Sequence, residues 1–431
     1  MTLFTRRLMT LLFAATAGSP AVAAGPYDDL LKGVSPNTNT LVMVNAKAAY
    51  ASPLGKAQKW DEKAKKSQYG ALGFVPPDAE LVVIASEVNL TAMQRDFQVG
   101  VMKLRGGIPN MKDLASYEGG TMSEIAGRLV VLSPRDVYIT SLAEQHLVAA
   151  FPADRQYTSK WLKHAREAKA ASVTPFLKKA ADAAGDSVLV VAVDMDDVYD
   201  PVLIRNALTN HPVMVKYKNA NLQNVSKFVA GVQGLTLTAD VKDEINGTIR
   251  IEFNSDPTIY KQLARDLFLT LVDGYGVQVP GMDKWATTYT DRTMTLTGPL
   301  TGPDLQRLLS LFAFPGVTAS DSAAKAAGDE FTPTATWQYY EAANAILKDL
   351  RSMKENLQDD KDYAKTATWH DKAAAQLDQL NRKGVDPIAT QAASDSARRL
   401  RAISGSLQGV PIDVDALSKT GYFYALSLIH I

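Results

Sequence analysis

Two stretches of this chain repeat one another 149 residues apart, and this repeat constrains the fold more than any other feature of the sequence. Residues 41–54 read LVMVNAKAAYASPL, and residues 190–203 read VVAVDMDDVYDPVL. Each begins with apolar residues typical of a buried strand, and each then reaches a polar residue followed by proline, Ser52-Pro53 or Asp200-Pro201. A capping side chain before proline is typical of a helix start. The repeat therefore predicts one strand-to-helix joint, used twice.

The segments after the two stretches run in the same order of strand, helix, two strands, helix and strand. A hairpin is clearest in the second copy, where residues 235–241 alternate between apolar and polar side chains and Asn246-Gly247 provides the turn. We predict an α+β fold: a tandem duplication of antiparallel sheet units, each with helices on one face, followed by an all-α helical bundle.

The same patterns predict the domain boundaries. Residues 25–170 form the first α+β unit and residues 171–316 the second, and residues 317–333, rich in Ala, Ser, Thr and Gly, form a linker. Residues 334–425 are predicted to form the bundle. Its first helix has four apolar residues close to one face, Trp337, Tyr340, Leu347 and Leu350, and Asp386-Pro387 starts its third helix.

The N-terminus has the pattern of a secretory signal peptide. Arg6 and Arg7 precede a short apolar run, and Ala21-Val22-Ala23 provides the small residues that signal peptidase requires. We expect residues 1–24 to be removed by cleavage after Ala23 or Ala24, which predicts export to the periplasm or cell envelope of a bacterium.

The last six residues, 426–431, read LSLIHI, which matches the translated end of a transposon used in sequencing libraries. We expect them to be a sequencing-adapter artefact and the natural C-terminus to be missing.

Composition excludes several classes of protein. The chain has 46 basic and 46 acidic residues; residues 1–24 contain two arginines and no acid, so their removal leaves a net charge of −2. This balance does not suggest a nucleic-acid partner, which requires a basic surface. The chain has no cysteine, which excludes thiol nucleophiles, disulfides and cysteine-ligated metals.

Three aspartates in the second repeat, Asp194, Asp196 and Asp197, are candidates for a metal site because clustered carboxylates suit hard cations. The first repeat has Asn45, Lys47 and Ala48 at the matching positions, and a lysine there opposes a metal site common to both copies. Asp200 is expected to cap a helix. The sequence therefore favours a structural role for the cluster, and we assign no catalytic residue, no cofactor-binding residue and no cofactor.

The five histidines show no catalytic or metal-binding spacing. They are His146, His164, His211, His370 and His430. No HExxH motif is present, and the nucleophile motif GxSxG is also absent. Because His146 lies in a predicted turn and His164 and His370 lie on predicted helices among charged residues, we predict surface positions for the histidines inside the domains.

Residues 334–350, TATWQYYEAANAILKDL, together with ATWHDKAAAQLDQL at 367–380 and GVDP at 384–387, resemble uncharacterised exported proteins of planctomycete-type bacteria. The PADRQ motif at 152–156 with Trp161 is similar to the same set. The resemblance covers helix-packing and capping residues and implies no reaction.

We therefore predict a non-enzymatic exported protein that binds or scaffolds an unknown protein or small-molecule ligand, with a cleft between the two sheet units as the expected site. Two alternatives stay open. One is a metal-dependent hydrolase that uses Asp194, Asp196 and Asp197. The other is an envelope protein whose membrane anchor is lost at the truncated C-terminus; no membrane span is expected in the sequence that we see.

Overall fold

The computed structural model describes residues 25–62, 78–90, 94–118, 120–133, 136–274, 277, 279–302, 304–305, 308, 333–354, 363–380, 382 and 384–408. The predicted signal peptide, nearly all of the predicted linker and the predicted adapter residues, with His430, lie outside these residues.

One antiparallel sheet of twelve strands dominates the described chain. The strands are β1 (Thr40–Asn45), β2 (Ala79–Asn89), β3 (Gln94–Leu104), β4 (Thr121–Ile125), β5 (Arg128–Ser133), β6 (Val137–Ala143), β7 (His146–Phe151), β8 (Leu189–Asp194), β9 (Val232–Val241), β10 (Ile245–Phe253), β11 (Ala286–Thr290) and β12 (Thr293–Leu300). Their order across the sheet is β11-β12-β10-β9-β8-β1-β2-β3-β7-β6-β5-β4.

Twelve α-helices with described bounds accompany the strands, and residues 302, 304, 305 and 308 are also helical. The twelve are α1 (Asp28–Leu31), α2 (Ala46–Ala51), α3 (Pro53–Ala57), α4 (Met111–Glu118), α5 (Arg155–Glu167), α6 (Pro175–Asp182), α7 (Pro201–Thr209), α8 (Leu222–Ala230), α9 (Lys261–Gly274), α10 (Pro333–Lys354), α11 (Tyr363–Asp378) and α12 (Pro387–Leu407). Short 3₁₀ helices span Pro212–Val215, Pro257–Tyr260 and Met282–Lys284.

The two predicted sheet units meet edge to edge at β1 and β8. These strands pair antiparallel, with Leu41 opposite Ala192 and Met43 opposite Val190. From this seam, β1-β2-β3-β7-β6 on one side corresponds to β8-β9-β10-β12-β11 on the other, and the hairpin β4–β5 extends the first half. The predicted α+β fold, with duplicated antiparallel sheet units followed by helices, is confirmed.

Helices cover both faces of the sheet, whereas the sequence suggested one face for each unit. On one face, α2, α4, α8 and α9 pack over the side chains of Val42 and Val191. On the other, α1, α5 and α6 pack over Leu41 and Val190. The reason lies in the strands themselves. Because β1 and β8 are apolar at consecutive positions, they present apolar side chains on both faces of the sheet, and helices must cover both faces to remove that surface from water.

The three C-terminal helices form a bundle in which α12 packs mainly against α11. Its core contains Leu350, Trp369, Leu377 and Leu400. The face predicted for α10 is only partly correct, because Leu350 is buried but Trp337 is 56% exposed. No helix in the described part of the chain is both long and apolar enough to cross a membrane.

Charged side chains on the bundle pair across and along its helices. Arg401 of α12 forms an ion pair with Asp378 of α11, and Arg398 pairs with Asp395 on its own helix. Arg398 and Arg401 of α12 therefore lie on a face with salt bridges.

Candidate functional site

Asp194 is the last residue of β8, and Asp196 and Asp197 lie in the turn that follows it. The Asp194 carboxylate accepts a hydrogen bond from the backbone N–H of Asp196, at 3.1 Å. Asp196 and Asp197 are exposed, and Asp197 has a left-handed backbone conformation with φ of 55°, which aspartate tolerates better than most residues. The geometry therefore accounts for Asp194, Asp196 and Asp197 as parts of the end of the strand and of the turn.

Asp200 ends this turn by capping α7. Its side chain accepts a hydrogen bond of 2.6 Å from the backbone N–H of Val202, and Pro201 is the first residue of the helix. Ser52 does the same for α3, where its hydroxyl accepts a hydrogen bond of 2.9 Å from the backbone N–H of Gly55. The predicted cap before proline is confirmed in both copies.

Between strand and cap, the two copies differ. β1 passes directly into α2, and Asn45 caps that helix by accepting a hydrogen bond of 2.9 Å from the backbone N–H of Ala48. Tyr50 is therefore helical and buried, whereas Tyr199 lies in a bend and is half-buried. The two tyrosines match in sequence but occupy unlike surroundings.

Within the described residues, no three His, Asp or Glu side chains are grouped so that they could hold a metal ion. The assignment of Asp194, Asp196 and Asp197 as weak metal candidates therefore gains no support from this geometry.

The histidines are less exposed than the sequence suggested. His146, His164 and His211 are half-buried, and the Nδ1 atom of His211 accepts a hydrogen bond from the backbone N–H of Val213. The surface prediction is wrong for His370, which is 1% exposed. Its Nδ1 atom lies 2.7 Å from the backbone carbonyl oxygen of Thr366 on the same helix. The physical reason is that α11 contacts both other helices of the bundle, so little of its surface is left for water.

The expected cleft between the two sheet units is absent at the seam, because β1 and β8 are joined there by a continuous hydrogen-bonded ladder. A ligand site therefore has to be sought elsewhere in the described part of the chain.

A partly buried polar cluster lies at one end of β2. The Glu87 carboxylate accepts a hydrogen bond of 2.5 Å from the Ser35 hydroxyl and another from the Tyr157 hydroxyl of α5. Asn39 holds the same loop to β2 through its side-chain amide, which contacts the backbone N–H and C=O of Val88 at 3.0 and 2.7 Å. These bonds connect a loop, a strand and a helix, which indicates that the cluster has a structural role.

An open groove on the helical bundle is the best candidate for a binding site. We call it the tyrosine groove; it lies mainly between α10 and α12. Its walls are Tyr339, Tyr340, Ala343, Asn344 and Leu347 of α10, Leu377 of α11, and Ile388, Ala389, Ala392, Ala393 and Ser396 of α12. Its volume is about 210 Å³, which is below the 300–1,000 Å³ or so typical of pockets for drug-sized molecules.

The two main walls of the tyrosine groove differ in character. Apart from Ile388, the α12 wall consists of small side chains, and Ala389, Ala392 and Ser396 lie about one helical turn apart, which leaves room for a neighbouring backbone. On α10, the Tyr340 ring packs against Trp337, with 5.7 Å between ring centroids. Ile388, at the start of α12, is 62% exposed. The groove is thus an apolar surface left partly open to solvent.

Sequence reasoning did not identify this site. The signal was present, because residues 389–396 read ATQAASDS and place small side chains at helical spacing. The sequence places Trp337 and Tyr340 on one face of the first bundle helix, but periodicity alone does not say which apolar residues of a helix find a partner.

Comparison with known proteins adds little. No protein-family model matches the chain, and no curated protein matches it. Among solved structures, crystal forms I and III of TP0453 are each 11% identical, with TM-scores of 0.38 and 0.40. They cover 66% of this chain, and 96% and 97% of their own. This similarity is too low to indicate a function, and the resemblance to exported planctomycete-type proteins stays a prediction.

Proposed function

We propose that this protein is an exported, non-enzymatic binding protein of the bacterial periplasm or cell envelope. In this proposal, the tyrosine groove binds an apolar helical segment of a protein partner. The observation that carries the proposal is the groove itself: an apolar channel between two helices, with Trp337 and Ile388 exposed beside it.

The dimensions of the groove favour a helix over a small molecule. Its lining spans residues 339–347 of α10 and 388–396 of α12, which at 1.5 Å per residue is about 12 Å along each wall. This length matches about two turns of a docked helix, which would present side chains at i, i+3, i+4 and i+7. Asn344 and Ser396 are the only lining side chains with polar groups besides the two tyrosine hydroxyls, so a strongly polar ligand would find few partners.

The leader pattern of residues 1–24 supports export. The hydrolase alternative is not carried forward, because Asp194 and Asp200 use their carboxylates for backbone hydrogen bonds in a turn and a cap. No observation favours the anchored-envelope alternative over the simpler exported form.

A charge placed in the groove tests the binding site. We expect Ala392→Glu to weaken binding of the amphipathic dye 8-anilinonaphthalene-1-sulfonate about tenfold or more, because the carboxylate would occupy the apolar channel that takes the aromatic rings of the dye. The matched control is Ala402→Glu on the same helix, since Ala402 is also half-buried but lies outside the groove. Equal dye binding by both variants would count against the groove.

Photo-crosslinking in the native bacterium tests the kind of partner. A benzoylphenylalanine residue at position 392 should give a discrete adduct with a polypeptide, whereas the same residue at position 402 should not. Adducts that are identical at both positions, or none at position 392, contradict the proposal. Cell fractionation of the same strain tests export, and a protein confined to the cytoplasm contradicts it.

A further inference from the structure

Gly25 lies beside two carboxylates that belong to different helices. Its backbone N–H donates a hydrogen bond of 2.9 Å to Oδ2 of Asp28, in α1. On the other side, a Cβ atom added to Gly25 would be only 3.3 Å from Oδ1 of Asp182, the last residue of α6. A Cβ atom at position 25 would thus be in tight contact with the Asp182 carboxylate, which would have to move by a few tenths of an ångström.

The charges around Gly25 do not balance. Lys178 of α6 forms an ion pair with Asp182, and its Nζ atom lies 3.4 Å from Oδ1 of Asp28. Two carboxylates thus share one ammonium among the described side chains of this cluster. The N–H of a peptide bond adds one donor and no charge, whereas a terminal ammonium would add three donors and the missing positive charge.

The position of Gly25 is held by buried neighbours. Tyr27, Leu30 and Leu31, which lie two to six residues after it, are all nearly inaccessible to solvent and belong to the core on one face of the sheet. A chain that starts at Gly25 would therefore still have its first residue beside the two carboxylates.

We propose that signal peptidase cleaves the chain between Ala24 and Gly25, and that the ammonium released on Gly25 binds to Asp28 and Asp182. Hydrolysis of this peptide bond consumes one water molecule and leaves a carboxylate on Ala24 and an ammonium on Gly25. The mature chain then has two cations and two anions in a cluster that joins α1 to α6. This inference rests on the export proposed above and selects one of the two cleavage sites that the sequence allowed.

The first test is the mass of the mature protein, purified from the envelope fraction of its host. We expect the mass of a chain that starts at Gly25. An exported chain that starts at Ala24 or elsewhere overturns the inference while leaving export intact. A full-length chain in the cytoplasm contradicts export itself.

The second test does not depend on export and uses purified protein that starts at Gly25. Neighbouring carboxylates favour the charged form of an amine, so the pKa of the terminal amine should lie above its ordinary value. A rise of about one pH unit makes the amine roughly tenfold slower to react with an acylating reagent at pH 7 than in the Asp28→Asn/Asp182→Asn variant. Labelling is located at Gly25 by peptide mass spectrometry.

Asp29→Asn is the matched control, because Asp29 adjoins Asp28 in sequence but pairs with Lys32 at 2.8 Å. It should leave the reactivity of the Gly25 amine unchanged. The single variants Asp28→Asn and Asp182→Asn are measured as well, so that the comparison survives if the double variant does not fold. Equal reactivity in the wild type and all folded variants overturns the ammonium site.

Discussion

The carboxylate of Glu87 shows how a single residue connects three elements of this fold. It lies on β2, and it accepts hydrogen bonds from Ser35 in the loop before β1 and from Tyr157 of α5. Burial, and then the hydrogen bond to Glu87, raise the pKa of Tyr157 to about 12. The folded protein therefore favours the protonated tyrosine, whose hydroxyl can donate to the carboxylate.

This pKa predicts a loss of stability at alkaline pH. An unfolded tyrosine loses its proton near pH 10, and the folded Tyr157 only near pH 12, so the unfolded chain binds fewer protons between these values. The free energy of unfolding should fall as the pH rises from about 10 to 12. Urea denaturation at pH 9, 10 and 11 measures this, and Tyr157→Phe should show a smaller fall. The pKa of Tyr217 is also raised to about 12, by burial and by the hydrogen bond to Asp266, so Tyr217 accounts for part of the fall that remains in this variant. An equal fall in wild type and variant would contradict the prediction.

At the scale of elements, the two copies of the strand-to-helix joint agree where the first backbone N–H groups of a helix need a hydrogen-bond acceptor, and they differ elsewhere. Both copies cap a helix with a polar side chain before proline, Ser52 in one and Asp200 in the other. Between strand and cap, the first copy continues as a helix, and the second makes a turn that contains Asp194 and Asp197. The acidic character of the second copy therefore belongs to its turn.

Removing the cap of the second joint should weaken the protein measurably. We expect Asp200→Ala to lower the free energy of unfolding by about 1 kcal/mol, because it leaves the N–H of Val202 without its partner. Asp196→Ala is the control, since Asp196 is exposed and contributes only its backbone N–H to the turn, and it should change stability by less than about 0.5 kcal/mol. Chemical denaturation of both variants measures the difference. The two aspartates behaving alike would refute the capping role.

At the scale of the whole molecule, the seam between β1 and β8 makes one sheet from two similar halves. Each seam strand pairs on both sides and is covered on both faces, whereas β4 and β11 are the edge strands. The most deeply buried hydrogen bonds thus join the halves.

Hydrogen–deuterium exchange should reflect this arrangement. We expect the slowest amide exchange in β1 and β8, because opening them requires the central ladder and both apolar faces to separate. The edge strands β4 and β11 should exchange much faster. Exchange followed by mass spectrometry of peptides measures the order, and fast exchange along the seam would show that the halves open independently.

Much of the fold could be predicted from the sequence because its signals are local. The alternation of residues 235–241 and the caps before proline depend on side chains within a few positions of one another, and they predicted β9, α3 and α7. The turn predicted at Asn246-Gly247 is wrong, because both residues lie in β10 and the chain turns at residues 242–244, between Val241 and Ile245. The continuous apolar runs of β1 and β8 also carried a signal for burial on both faces.

The sequence by itself therefore determined the α+β class, the two equivalent halves and the capped joints between strand and helix, since backbone geometry and near neighbours specify them. Only the tertiary structure decided that the halves join at β1 and β8, that helices cover both faces, and that His370 is buried while Trp337 stays exposed. The same holds for the tyrosine groove and for the carboxylates beside Gly25. These features depend on which surfaces meet across long stretches of chain, and a periodic pattern shows that a surface is apolar without showing what covers it.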